Sequence, residues 1–256
     1  MIVEYHRPQD EQEALKLLAR SDPKTIVLGG GLYINQKDLG DVAVVDLQAL
    51  DFKTIKSGGK RLDIGAEVTL QDLLESGDIP SALEKSIRHQ DAYNRRQVAT
   101  VAGTLLAADG RSPFTTALLA LDPILEIRRA GQDPQESHLG DVLPVREEEL
   151  SGAMVNRVSV PVNAQLSYEY VARSPADFPL VSAAVAVWPS GRTRVILGGF
   201  GEHPRMVLDG PGAEGAVDAA EDAYSEAGDE WASAEYRSNT AGTLVKRCLD
   251  ELSVRE

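Results

Sequence analysis

Thr100-Val-Ala-Gly-Thr-Leu-Leu-Ala-Ala108, followed at once by Asp109-Gly-Arg-Ser-Pro113, is the stretch on which the fold turns. It is an uncharged apolar run broken by one glycine and edged by threonine. It ends on Gly, Ser and Pro, the residues that turn a chain. An even core filler has no need of that pattern, whereas a backbone presenting its amides to a ligand does. A second glycine turn, Leu28-Gly-Gly-Gly-Leu32, lies upstream. Two such turns in one domain are expected to clamp the diphosphate of a dinucleotide.

Composition narrows the field. The chain has 256 residues, long enough for one or two domains with a substantial core, and 43% of them are hydrophobic. A net charge of −14 argues against nucleic acid or an anionic membrane as the main partner. Cys248 is the lone cysteine, which excludes an internal disulfide and a thiolate metal cage. His6, His89, His138 and His203 are scattered without the i, i+4 spacing of a zinc site, so no metal ligand is expected. No apolar run reaches the roughly 18 residues that cross a bilayer. The start, Met1 to Pro8, lacks a signal pattern, and a cytoplasmic protein is expected.

Outward from the opening stretch, periodicity sets the elements. A helix is expected over Pro8–Arg20, with Ala14, Leu15, Leu17 and Leu18 on its apolar face and Lys16 and Arg20 near its end. Thr25–Leu28 and Asp41–Asp46 read as strands, with the glycine turn and a short helix between them. Phe52–Lys56 and Arg61–Gly65 alternate around a Ser57–Lys60 turn, a hairpin. Thr69 caps a helix to Glu75, and Pro80–His89 and Phe114–Leu121 are further helices. Ile124–Arg129, Ser159–Val162 and Tyr168–Ala172 read as strands, with Gly131–Ser137 a loop. The segment from Ala176 to Val187 pairs with Arg192–Leu197 across Pro189–Gly191. After a glycine loop at Gly198–Pro204 come two acidic, helical stretches, Glu214–Gly228 and Trp231–Leu252. The boundary is expected near Val162–Leu166.

Taken singly, neither turn decides a function. Gly29-Gly30-Gly31 is not G-x-G-x-x-G and is not followed by Gly-Lys-Ser/Thr, so neither the nicotinamide fingerprint nor the P-loop is supported. It reads equally as an ordinary strand-to-helix turn. Thr100 and Thr104 offer hydroxyls to phosphate oxygens, while Ala102 and Gly103 leave room beside the backbone; a buried crossover is the plain alternative.

Longer motifs resolve this. Arg96-Gln-Val-Ala-Thr-Val-Ala-Gly-Thr-Leu-Leu-Ala-Ala-Asp109 resembles the pattern Arg-Asn-x-Ala-Thr-Ile-Gly-Gly-Asn-Leu-Ala-x-Ala, and Ile64-Gly-Ala-Glu-Val-Thr-Leu-Gln-Asp-Leu74 resembles Ile-Gly-Ala-x-Val-Thr-Leu-x-x-Leu. Tyr168-Glu-Tyr-Val-Ala-Arg173 with Asp177-Phe178 and Val181-Ser182 is similar to Tyr-x-Lys-Val-Ala-Arg…Asp-Phe-x-x-Val-Ser. Ala232–Arg237 resembles the opening before the last helix of the same family. That family is the FAD-binding medium subunit of molybdenum hydroxylases, as in xanthine dehydrogenase and aerobic carbon monoxide dehydrogenase. The resemblance spans nearly the whole chain in order.

The resemblance implies an α+β fold: an FAD-binding domain of the molybdopterin-dehydrogenase type over residues 1–162, then a smaller sheet-plus-helix domain over 163–256 that covers the flavin. It implies FAD held by Leu28, Gly29, Gly30, Gly31, Leu32 and Tyr33 and by Thr100, Ala102, Gly103, Thr104 and Asp109, with no catalytic side chain and no metal ligand on this chain. It implies a molybdenum cofactor large subunit and a [2Fe-2S] small subunit as partners in a hetero-oligomer, electrons passing from the clusters through FAD to an external acceptor. The chain departs from the pattern where Ala-Gly-Gly-Thr/Ser-Asp-Leu becomes Leu28–Tyr33, where Gly-Gly-Asn becomes Ala102-Gly-Thr104, at Pro113 in place of an acid, and at Tyr170 in place of a lysine. Each lost polar contact weakens binding by about 1 kcal/mol. The competing expectations are a relative that has lost FAD and serves as an assembly or scaffold subunit, and an unrelated α/β small-molecule binder.

Overall fold

The computed structural model describes residues 1–32, 34 and 39–254. In chain order the elements are β1 (Ile2–His6), α1 (Glu11–Leu18), β2 (Lys24–Leu28), β3 (Val42–Asp46), β4 (Ile55–Gly58), β5 (Arg61–Gly65), α2 (Leu70–Ser76), α3 (Ser81–Gln90), α4 (Tyr93–Arg96), α5 (Val101–Ala107) and α6 (Pro113–Ala120). There follow β6 (Ile124–Arg129), β7 (Gln135–His138), α7 (Leu139–Val142), α8 (Arg146–Glu149), β8 (Ala153–Pro161), β9 (Gln165–Val171), β10 (Val181–Val187), β11 (Thr193–Gly198), β12 (Arg205–Gly210), α9 (Ala216–Ala223) and α10 (Ala234–Ser253). The fold class is α+β.

The chain forms two compact units from interleaved segments. The first takes residues 1–78, 93–107 and 123–160, the second 79–92, 108–122 and 161–256.

The first unit holds a three-stranded parallel sheet in the order β1-β3-β2 and a five-stranded sheet in the order β4-β5-β8-β6-β7. β3 is buried at every position, as a central parallel strand is. Helix α1 covers β2 and β3 through Ala14, Leu15 and Leu18, packed with Val45 and Leu47. It starts later than the periodicity suggests because the Asp10 side chain caps it, accepting from the Glu13 N–H at 2.8 Å. The short helix expected after the glycine turn lies largely outside the described residues.

The second unit is built on the antiparallel sheet β12-β11-β10-β9. On β10, Val181, Ala183 and Val185 join a core with Ala241, Leu244, Val245 and Cys248 of α10. The alternate residues Ser182, Ala184 and Ala186 are buried as well, and α6 contacts both β10 and β11. Two covered faces explain why this strand reads as an unbroken apolar run. Helix α6 itself is buried at all eight positions.

Several elements depart from the sequence reading. β7 occupies part of the expected Gly131–Ser137 loop, and β8 runs from Ala153, six residues before the strand expected at Ser159. β1, α7, α8 and β12 carry no periodic signal. Above all, the run from Val101 to Ala107 is helical and not a tight bend.

Candidate functional site

The first glycine turn begins where the parallel sheet ends. Leu28 closes β2 in register with Asp46, the last residue of β3. Beyond it the chain bends, with Gly31 at φ +71°. A Cβ on Gly30 would collide with the Val98 carbonyl, so glycine is required there by a passing backbone. A Cβ on Gly29 would lie 3.0 Å from Thr100 Oγ1 and 3.4 Å from Glu67 Oε1. The turn and the start of α5 therefore meet around three residues, Gly29, Glu67 and Thr100.

Short backbone bonds hold that junction. Val101 N–H donates to the Val68 carbonyl at 2.8 Å, and Leu70 N–H donates to the Ala99 carbonyl at 2.8 Å. Together with the Thr69–Thr100 bridge they stitch the start of α2 to the start of α5. Helix α2 is fixed by a capping box: Thr69 Oγ1 accepts from Asp72 N–H at 3.1 Å, and Asp72 Oδ2 accepts from Thr69 N–H at 3.0 Å. Just before it, Glu67 N–H donates to the Phe52 carbonyl at 3.1 Å and Ala66 N–H to the Asn156 carbonyl at 3.0 Å. The side chain at position 67 is thus aimed by its backbone.

Thr100 Oγ1 accepts from Gly103 N–H at 3.1 Å, and the Thr104 hydroxyl donates to the Thr100 carbonyl at 2.8 Å. Thr104 is 1% exposed, so its proton is committed to its own helix and the expected hydroxyl donation to a phosphate is replaced by a structural bond. Gly103 is small because Thr100 Oγ1 would lie 2.7 Å from its Cβ. The N–H groups of Gly30, Gly31 and Ala102 meet no acceptor among the described residues. Asp109 is built into the second unit, where its carboxylate accepts from Arg111 N–H at 2.8 Å and closes a local turn. Tyr33 lies outside the described residues.

Glu67 is the residue the sequence reading passes over. It stands at the free position of the Ile64-Gly-Ala-x-Val-Thr motif, the one charge among the buried residues Ile64, Ala66, Val68 and Leu70. That isolation is the signal the sequence offers for it. Burial first, and the Asp46 carboxylate second, push its carboxyl up to about 7 against the pull of Lys53. Among the described residues, no group of three or more His, Cys, Asp or Glu is placed to hold a metal ion. No helix among them is long and apolar enough to cross a membrane.

Residues 1–163 match the family described as the FAD binding domain in molybdopterin dehydrogenase. The chain belongs to that family. It is an oxidoreductase component whose cofactor is FAD. YgfM of Escherichia coli K12, an uncharacterized protein, is 25% identical over 216 residues, covering 82% of this chain and 79% of YgfM. Among solved structures, reconstituted CO dehydrogenase from Oligotropha carboxidovorans superposes with a TM-score of 0.80 at 22% identity, covering 99% of this chain and 98% of that one. Quinoline 2-oxidoreductase from Pseudomonas putida 86 gives 0.79 at 20% identity, covering 97% and 95%. At such identities the likeness shows a shared fold for the family member described here.

Proposed function

We infer that this chain is the FAD-binding electron-transfer subunit of a molybdenum-containing hydroxylase or dehydrogenase. Bound FAD supplies a carrier that takes up and releases electrons, and the protein binds and orients it. Gly29, Gly30 and Gly31 hold the diphosphate by main-chain N–H groups, joined by Ala102 at the start of α5. Gly103 keeps the approach open, and Thr100 contributes its hydroxyl. Residues 1–162 carry this site and residues 163–256 cover the flavin edge. Electrons arrive from iron–sulfur clusters on a small subunit, which takes them from a molybdenum cofactor on a large one, and leave to an external acceptor. The chain works in the cytoplasm; its lone cysteine, buried and free, accords with a reducing compartment.

The observation that carries this reading is the meeting of the two glycine-containing segments with backbone donors unused among the described residues. The absorption spectrum of the purified full chain tests it. A yellow protein keeping flavin bands after desalting, and recovered with two companion subunits from its native host, is the expected result. A colourless chain that takes up no FAD on refolding overturns the assignment and favours the scaffold alternative.

A further inference from the structure

Glu67 has a position that FAD binding by main-chain donors does not explain. Its Oε1 faces the same point as the missing Cβ of Gly29 and the hydroxyl of Thr100. It is 9% exposed, and no described residue donates a hydrogen bond to its carboxyl or pairs with it. The charged groups around it are otherwise engaged. Asp46 accepts from the Tyr5 hydroxyl and from Gln48 N–H, and Lys53 pairs with Asp72 at 3.0 Å. A carboxylate placed beside a diphosphate repels it; a carboxylic acid in the same place has a proton to donate.

We propose that Glu67, in its neutral form, is a hydrogen-bond donor to bound FAD at the junction of the glycine turn and α5, and that its deprotonation loosens the cofactor. The proposal rests on the FAD reading above. Burial and the neighbouring Asp46 carboxylate keep the acid form populated to about pH 7 in the free protein. Dinucleotide anions raise that affinity for the proton further, so binding and protonation support each other. The consequence is a cofactor held tightly in mildly acidic and neutral solution and released toward alkaline pH.

The test is FAD affinity of the full chain, read by quenching of flavin fluorescence between pH 6 and pH 9. The dissociation constant of the unaltered chain is expected to rise about tenfold to a hundredfold across that range, the limit being a factor of ten per pH unit above the pKa. Glu67→Gln, which keeps a donor that cannot ionise, is expected to bind with a dissociation constant flat to within about threefold. Asp46→Asn removes the neighbouring charge and is expected to start the decline at lower pH, which keeps the idea testable should the Glu67→Gln variant fold poorly. Equal slopes for the unaltered chain and the Glu67→Gln variant, or a flat profile for the unaltered chain, overturn the proposal and leave the FAD reading standing. No uptake by any of the three at any pH overturns both.

Discussion

The two units each contain a crowded glycine segment, and the two use their backbones in opposite ways. In the second unit, Gly110 N–H donates to the Gly201 carbonyl at 2.9 Å and Gly199 N–H donates to the Gly110 carbonyl. The Gly199 carbonyl, with that of Leu180, is taken by the fully buried guanidinium of Arg237. Arg237 in turn holds Asp229 through two hydrogen bonds of 2.7 Å. Burial pushes the Asp229 carboxyl up, but the bonds from Arg237, Trp231 N–H and Ala232 N–H outweigh it and hold the group below its usual range. In the first unit, the turn at Gly29–Gly31 is as crowded, yet the N–H groups of Gly30 and Gly31 stay unused among the described residues. Glycine content alone therefore does not mark a ligand site. What distinguishes the two is whether the donors are already matched within the protein.

The largest expected effect comes from unmaking the Arg237 knot. Arg237→Ala strands two carbonyls and the Asp229 carboxylate, and is expected to cost about 3–5 kcal/mol, read as a fall in Tm or chemical denaturation midpoint. A loss under about 1 kcal/mol would mean that water replaces the guanidinium and that the contrast between the units is overstated. Gly30→Ala comes next. Its methyl group collides with the Val98 carbonyl, so the turn must move, at about 1–3 kcal/mol in stability with a loss of FAD retention that exceeds the loss of folded protein. Stability lost with affinity intact would place the cofactor elsewhere. Gly31→Thr, which restores the hydroxyl usual in the family, is the smallest. Among the described residues only Leu28 Cδ1, at 3.6 Å, is near the new Cβ, so the cost is that of a branched residue at φ +71°, about 1–2 kcal/mol in melting experiments. An unchanged melting temperature would show that the turn adapts freely.

Legibility in the sequence follows the same division. The helices α1, α6 and α10 and the strands β3, β5, β6 and β11 are readable because each buries a periodic or continuous apolar face. β1 is not: Ile2, Val3 and Tyr5 are exposed, and the strand gains its place by pairing with β3, a non-local contact. β7, polar and largely exposed, is likewise held by its neighbour, and β12 by its pairing with β11 and by Val207 and Leu208 packed on the core. The run from Val101 to Ala107 reads as a bend because Gly, Thr and Val are poor helix formers. Tertiary contacts reverse that preference, with Thr100 capping the helix and Val68 anchoring its first residue. Within the site, the motifs point to Gly29, Gly30, Thr100 and Gly103, which the fold gathers in one unit. They do not reveal that the Thr104 proton is committed or that Glu67 reaches the turn. The first depends on a helix the sequence disguises, and the second on the register between α2 and α5.

The interleaving of the two units sets a constraint on how the protein is made. Helices α3 and α6 leave the ribosome well before β9, β10 and β11, the strands that bury them. Until the last third of the chain emerges, α6 is a largely apolar segment without a lodging, and the stretches of the first unit that flank it are already waiting. Neither half can be severed from the other at residue 162 without leaving greasy helices in water.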